Sequence, residues 1–65
     1  MIDAARNGRV VTTDVDFTDA AFGIFFAAGE KFMIFGFSSD QVVLDQLTTG
    51  CRIRVSMPFL KKHFS

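Results

Sequence analysis

Residues 29–37 form the most apolar extended pattern in the chain, with the sequence Gly-Glu-Lys-Phe-Met-Ile-Phe-Gly-Phe. Alternate side chains of a strand over residues 30–37 would point to opposite faces. One face would carry Lys31, Met33, Phe35 and Phe37, and the other Phe32, Ile34 and Gly36. A strand with one solvated face alternates apolar and polar residues, but both faces are apolar here. The pattern therefore predicts a central strand with one face buried in the core. Its other face is expected to be buried as well, for example against another subunit.

Three further segments have strand-like patterns. Residues 9–17 and 41–44 are rich in β-branched side chains, which favour strands. Residues 51–57 alternate regularly and predict a half-buried strand, with Cys51, Ile53, Val55 and Met57 pointing inward and Arg52, Arg54 and Ser56 pointing outward. Pro58 ends this strand because proline has no N–H to donate, and residues 58–64 are expected to form a short helical turn.

Residues 18–28 allow two interpretations. Thr18 could cap a short helix whose first turn contains Asp19, since a threonine hydroxyl accepts a free backbone N–H and a carboxylate favours the helix N-terminus. Gly23 and Gly29 limit that helix to two turns. The alternative is an irregular loop followed by a short strand over residues 24–27.

Turn signals separate these strands at intervals of about nine to ten residues, a spacing typical of small barrels. The turns are Ala28-Gly29-Glu30, Ser38-Ser39-Asp40, Thr48-Thr49-Gly50 and Met57-Pro58-Phe59. Their order resembles the SH3-like barrels, in which a long loop leads to a Gly-Asp/Glu turn, two hairpin strands, a further strand and a helical turn after a proline. The resemblance covers residues 9–60. It implies a mostly-β, five-stranded SH3-like barrel forming one domain over residues 1–65.

The peptide-binding branch of that family docks proline-rich ligands on a tryptophan and a tyrosine. This chain contains neither residue type. Gln41-Val42 follows the hairpin turn, and Phe59, Leu60 and Lys61 follow Pro58. Binding of proline-rich peptides is therefore not expected.

The small size of the chain favours association with another molecule. A domain of 65 residues buries only about 60% of the surface that its unfolded chain exposes. One cysteine excludes an internal disulfide, and Cys51 with His63 is too small a ligand set for structural zinc. Nine phenylalanines are more than one small barrel is expected to hide, and an unhidden patch marks an interface. The strongest candidates for this interface are Met33, Phe35 and Phe37.

The apolar run at residues 20–28 is too short to span a bilayer. The first six residues lack the basic-then-apolar order of a signal peptide. We therefore expect a cytoplasmic protein with no membrane partner.

Candidate catalytic groups are few. Asp14, Asp16 and Asp19 could offer oxygen ligands to a hard cation, but they lack the glycine and the distal glutamate of a calcium loop. Cys51 lies on the apolar side of its predicted strand, which favours a buried thiol. His63 lies beside Lys62 and is expected to face solvent. We expect no catalytic site, no metal and no cofactor, and therefore no enzyme.

The charges are unevenly distributed along the chain. Residues 46–65 contain four basic residues and no acid, while the net charge is zero. The basic residues are Arg52, Arg54, Lys61 and Lys62, and they could bind nucleic acid if the aromatic residues around them were exposed. Alternatively, Arg52 and Arg54 could pair with Asp14 and Asp16 across neighbouring strands. The leading hypothesis is a non-enzymatic interaction module that self-associates or docks on a larger protein, as an assembly subunit or a small regulator. Nucleic-acid binding is the second hypothesis.

Overall fold

The computed structural model describes residues 7–65, so the first six residues of the predicted domain lie outside the described part. Over these described residues the fold is mostly β, as predicted, and contains six strands and one helix. They are β1 (Val10–Thr12), β2 (Phe17–Asp19), β3 (Ile24–Phe26), β4 (Lys31–Ser38), β5 (Gln41–Gln46), β6 (Arg52–Ser56) and α1 (Met57–His63).

The strands form two antiparallel sheets. A four-stranded sheet has the order β1-β4-β5-β6, and β2 and β3 form a separate two-stranded sheet. Over residues 7–65 these sheets do not join into a single closed barrel. Helix α1 packs against β5 and β6. No helix within these residues is long and apolar enough to cross a bilayer.

The predicted strand over residues 9–17 is divided into β1 and β2. The Thr13 hydroxyl donates to the Val15 carbonyl at 2.7 Å and accepts the Val15 N–H at 3.3 Å. The Asp16 carboxylate accepts the Ala28 N–H at 2.8 Å. Such local side-chain bonds compete with strand pairing, and here they turn the chain between β1 and β2. The fold therefore has six strands where five were expected.

Residues 18–28 contain a β-hairpin, so the helix interpretation is wrong and the loop-and-strand interpretation is closer. Phe17 in β2 pairs directly with Phe26 in β3. Gly23 has φ +68°, a conformation that glycine adopts without steric cost, and its N–H donates to the Asp19 carbonyl at 2.7 Å. Phe26 is buried in the core, and this tertiary contact outweighs the local helix signal at Thr18.

Strand β4 contains a β-bulge that reverses the predicted alternation. Ile34 pairs with Leu44, whereas Gly36 pairs with Val43, so Phe35 is an extra residue in the ladder. Phe37 then pairs with Val42, a core residue of β5. Directly paired side chains lie on the same face of a sheet. The prediction that Phe37 shares a face with Phe35 is therefore wrong, because a bulge shifts the register by one residue.

The core is built on packed phenylalanine rings. Phe32 is fully buried, and its ring lies 5.2 Å from that of Phe26, 5.8 Å from that of Phe64 and 6.2 Å from that of Phe17, measured between centroids. Tilted and edge-on contacts of this kind stabilise beyond simple burial of area. The aliphatic members of the core are Val11, Ile34, Val42, Leu44, Ile53, Val55 and Leu60.

The last strand and the helix agree with the sequence pattern. Ile53 and Val55 are buried, while Arg52, Arg54 and Ser56 are exposed. Helix α1 confirms the helical turn predicted after Pro58 and begins one residue earlier than expected. The Ser56 side chain caps it by accepting the Phe59 N–H at 3.2 Å.

The chain after α1 returns to β1. Thr12 and Ser65 exchange two backbone hydrogen bonds of 2.9 and 2.8 Å, and Thr13 forms a bridge with Phe64. These bonds occupy the edge of β1 that faces away from β4. The last two residues therefore cover a strand edge that would otherwise be open.

Candidate interaction surfaces

The outer face of the four-stranded sheet carries an apolar patch that we call the outer patch, consisting of Val10, Met33 and Phe35. Val10 pairs directly with Met33, and their chain neighbours Val11 and Phe32 point into the core. Val10 is 49% exposed and Phe35 is 51% exposed, while Met33 is half-buried. Two of the predicted interaction residues, Met33 and Phe35, thus lie together, whereas Phe37 lies on the other face. The sequence pattern did not indicate that Val10 lies beside them.

Arg52 holds the ring of Phe35 in place. Its guanidinium carbon lies 3.7 Å from the centroid of the Phe35 ring, which is a cation–π contact. The same guanidinium donates from Nε to Asp45 Oδ1 at 2.8 Å and from a terminal nitrogen to Oδ2 at 3.1 Å. This two-point bond restricts the rotation of Arg52. The outer patch is therefore bordered by an oriented ion pair.

The predicted pairing of Arg52 and Arg54 with Asp14 and Asp16 is wrong. Asp14 accepts the Ser65 hydroxyl at 2.8 Å, and Asp16 accepts the Ala28 N–H. Asp45 pairs directly with Arg52 because β5 and β6 form a hairpin. A signal for this pair was present, since the two residues are equidistant in sequence from the Thr48-Thr49 turn.

We expect the pKa of Asp45 to lie below its ordinary value. The hydrogen bonds from Arg52 are the main cause, the charge of Arg52 adds to the effect, and partial desolvation opposes it. A lowered folded-state pKa stabilises the fold above the unfolded-state pKa, and this contribution is lost as the pH falls through the folded-state value. An NMR titration of the Asp45 carboxylate should show a lowered midpoint.

Arg52→Gln should raise that midpoint toward the ordinary value, because it removes both the charge and the two-point bond. Arg54→Gln is the matched control, since Arg54 makes no hydrogen bond to Asp45. An unchanged Asp45 midpoint in Arg52→Gln would show that the ion pair does not persist in solution.

The other predicted basic residues lie on two different elements. Arg54 lies on β6, on the same face as Arg52, and lines two clefts beside the β2–β3 hairpin. Lys61 and Lys62 are exposed in the last turn of α1, where positive charge is favourable next to the helix C-terminus. Arg54, Lys61 and Lys62 form no ion pair with any of residues 7–65.

The two clefts lie between the β2–β3 hairpin and the end of the four-stranded sheet. The smaller cleft has a volume of about 240 Å³, and its lining includes Phe17, Val55, Ser56 and Phe59. The larger cleft has a volume of about 390 Å³ and lies beside Phe22 and Gln41. Asp19, Ala20 and Arg54 line both clefts, which are therefore adjacent. The sequence did not predict these clefts because they depend on how the hairpin folds over the sheet.

The hairpin also exposes large apolar side chains that the sequence reasoning did not select. Phe22 is 65% exposed and Phe25 is 61% exposed, more than any residue of the outer patch. A signal was present, because residues 20–29 contain no charged residue and no alternation of polar positions. These side chains make the hairpin a second apolar surface.

The residues considered for catalysis or metal binding are separated or engaged elsewhere. Asp19 accepts the Phe22 N–H at 3.0 Å, so Asp14, Asp16 and Asp19 each bond to a different part of the chain. Within residues 7–65 no group of three metal-ligating side chains converges. Cys51 packs against the core, and the His63 ring lies 4.8 Å from that of Phe59. No hydrogen bond over the described residues joins Cys51 to His63.

Comparison with known proteins provides no family for this chain. No family model, no curated protein and no solved structure matches it.

Proposed function

We propose that this chain is a non-enzymatic protein-interaction module in the cytoplasm, built on an SH3-like framework. It binds a second copy of itself or a larger protein through the outer patch, and it serves as an assembly subunit or a small regulator.

The order of the elements supports the SH3-like framework. A first strand is followed by a hairpin, three consecutive antiparallel strands and a short helix. The return of Phe64 and Ser65 to β1 brings the two ends of the described chain together. The departure from a closed barrel is the separate pairing of β2 with β3.

The exposure of Phe35 beside Val10 and Met33 is the observation that carries the interaction proposal. Fully burying a phenylalanine side chain contributes about 1.5–3 kcal/mol, so covering the exposed half of Phe35 would contribute roughly 1 kcal/mol. The ion pair with Asp45 holds the Arg52 guanidinium over the ring before binding. A patch that is ordered in advance loses less side-chain entropy when a partner covers it.

Phe35→Ser should weaken association. Light scattering after size-exclusion chromatography should show the wild-type chain as a dimer or larger assembly at micromolar concentration, or as a complex with its captured partner. The variant should shift to the free monomer, because serine removes the apolar ring and leaves Arg52 without its stacking surface.

Leu47→Ser is the matched control. Leu47 is 49% exposed, but it lies in the β5–β6 turn and outside the outer patch. The proposal fails if the wild-type chain is monomeric and Phe35→Ser captures the same partners as Leu47→Ser.

Nucleic-acid binding is the alternative proposal, and it is favoured by Arg54, Lys61 and Lys62, which are exposed and form no ion pair with a residue in the described part of the chain. Arg52 is less suitable because its guanidinium is bonded to Asp45 and stacked on Phe35. Three free cations would give a slope of at most about −3 in a plot of log K against log salt concentration for duplex DNA. Absence of binding at low salt would remove this alternative.

A further inference from the structure

Strand β6 ends the four-stranded sheet. It pairs with β5 on one side, and no backbone hydrogen bond from another part of residues 7–65 reaches its second edge. An end strand directs alternate N–H and C=O groups away from its neighbour, and such an edge is a template for pairing with a further strand. Strand β6 is therefore open to an added strand.

A second edge faces β6 across the smaller cleft. Within residues 7–65 strand β2 pairs with β3 alone, and consecutive residues of β2 and β6 line this cleft. The rings of Phe17 and Phe59, whose centroids are 5.4 Å apart, form part of its apolar lining. The volume of about 240 Å³ can accept an apolar side chain from an extended segment lying along β6.

The charge beside the cleft indicates which kind of segment fits. Arg54 is exposed, lines both clefts and has no ion pair with any described residue. Asp19 also lines both clefts, but it is buried, and its Oδ2 accepts the Phe22 N–H. The exposed charged side chain that lines both clefts is therefore Arg54.

We infer that the free edge of β6 binds an extended segment of another protein in which apolar and acidic residues alternate. The backbone of that segment pairs with β6 as an added strand. Its apolar side chain opposite Val55 packs into the smaller cleft, and its carboxylate in the neighbouring position bonds to Arg54. Adjacent residues of a strand point to opposite faces, so one alternating segment satisfies both contacts. This site is separate from the outer patch and does not depend on it.

The test uses the full chain labelled with ¹⁵N and a blocked peptide of alternating valine and glutamate. When the peptide binds, the amide shifts of the labelled protein should change along residues 52–56 and 17–20. A matched peptide of alternating valine and lysine should bind more weakly. A version of the glutamate peptide with a central proline should not bind, because proline removes a donor from the ladder.

Arg54→Ser should weaken binding of the glutamate peptide by about twofold to fivefold, the range of an exposed ion pair. Arg54→Glu should reverse the preference so that the lysine peptide binds more tightly. Lys62→Ser is the matched control, because it removes an exposed positive charge from α1 and should leave both affinities unchanged.

Several results would overturn the inference. These are no binding of the glutamate peptide, equal binding of the glutamate and lysine peptides, and binding that the central proline does not affect. Shifts along β6 that depend only on the concentration of the protein would assign the edge to a second copy and would also contradict it. A failure of Phe35→Ser to alter association bears on the outer patch alone, so the two proposals are tested separately.

Discussion

Phe32→Ala is expected to remove a large part of the stability of the chain. Phe32 is fully buried and contacts the rings of Phe17, Phe26 and Phe64, which come from β2, β3 and the return after α1. Truncating a buried phenylalanine to alanine costs about 3–5 kcal/mol. A domain of 65 residues is expected to have a free energy of unfolding of about 3–10 kcal/mol. The loss is thus roughly a third of this stability or more.

Urea denaturation followed by circular dichroism measures this effect. Phe25→Ala is the matched control, because it removes the same ring from an exposed position of β3 and should change the free energy of unfolding by less than about 0.5 kcal/mol. Equal effects of the two substitutions on the free energy of unfolding would contradict the burial of Phe32 and the exposure of Phe25.

Phe64→Ala is expected to detach residues 64–65 from β1, with which they pair. The Phe64 ring is fully buried and lies 5.9 Å from that of Phe17. Its removal should cost about 3–5 kcal/mol. The substitution should also expose two neighbouring backbone hydrogen bonds to solvent. In these bonds the Thr12 N–H donates to the Ser65 carbonyl and the Asp14 N–H donates to the His63 carbonyl.

Hydrogen exchange distinguishes this local opening from global unfolding. In Phe64→Ala the amides of Thr12 and Asp14 should lose more protection than the amides of β5, because only the former depend on the return. Ser65→Ala is the control, since it removes only the hydroxyl bond to Asp14 at the surface. Equal loss of protection in β1 and β5 would show that the return is not an independent element.

Strand β6 contributes a side chain to each of the two proposed binding sites. Arg52 orients Phe35 on the outer patch, and Arg54, two residues later, offers its charge to the edge of β6. Alternation along β6 buries Ile53 and Val55, and so it directs both arginines outward. A short strand thus combines a core role with two surface roles.

Sequence periodicity alone determined β4, β5, β6 and α1. The alternation of residues 51–57, the stop at Pro58 and the turn residues around Ser39 and Gly50 are local signals, and the fold follows them. The alternation of apolar and polar side chains and the backbone preferences of glycine and proline act within a few residues. They can therefore be recognised without knowledge of the fold. The mostly-β class follows from the same signals.

Tertiary structure alone decided the features on which the proposed function depends. Residues 18–28 became a hairpin because Phe26 packs against Phe32 of β4, which belongs to the other sheet, as well as against Phe17. The bulge at Phe35 separated this ring from Phe37, although an unbroken alternation places them on one face. Strand order, register and core contacts join residues far apart in sequence, and their energies are not contained in any local pattern. The sequence therefore determined which segments are strands, and the packing of the sheet decided which side chains remain available to a partner.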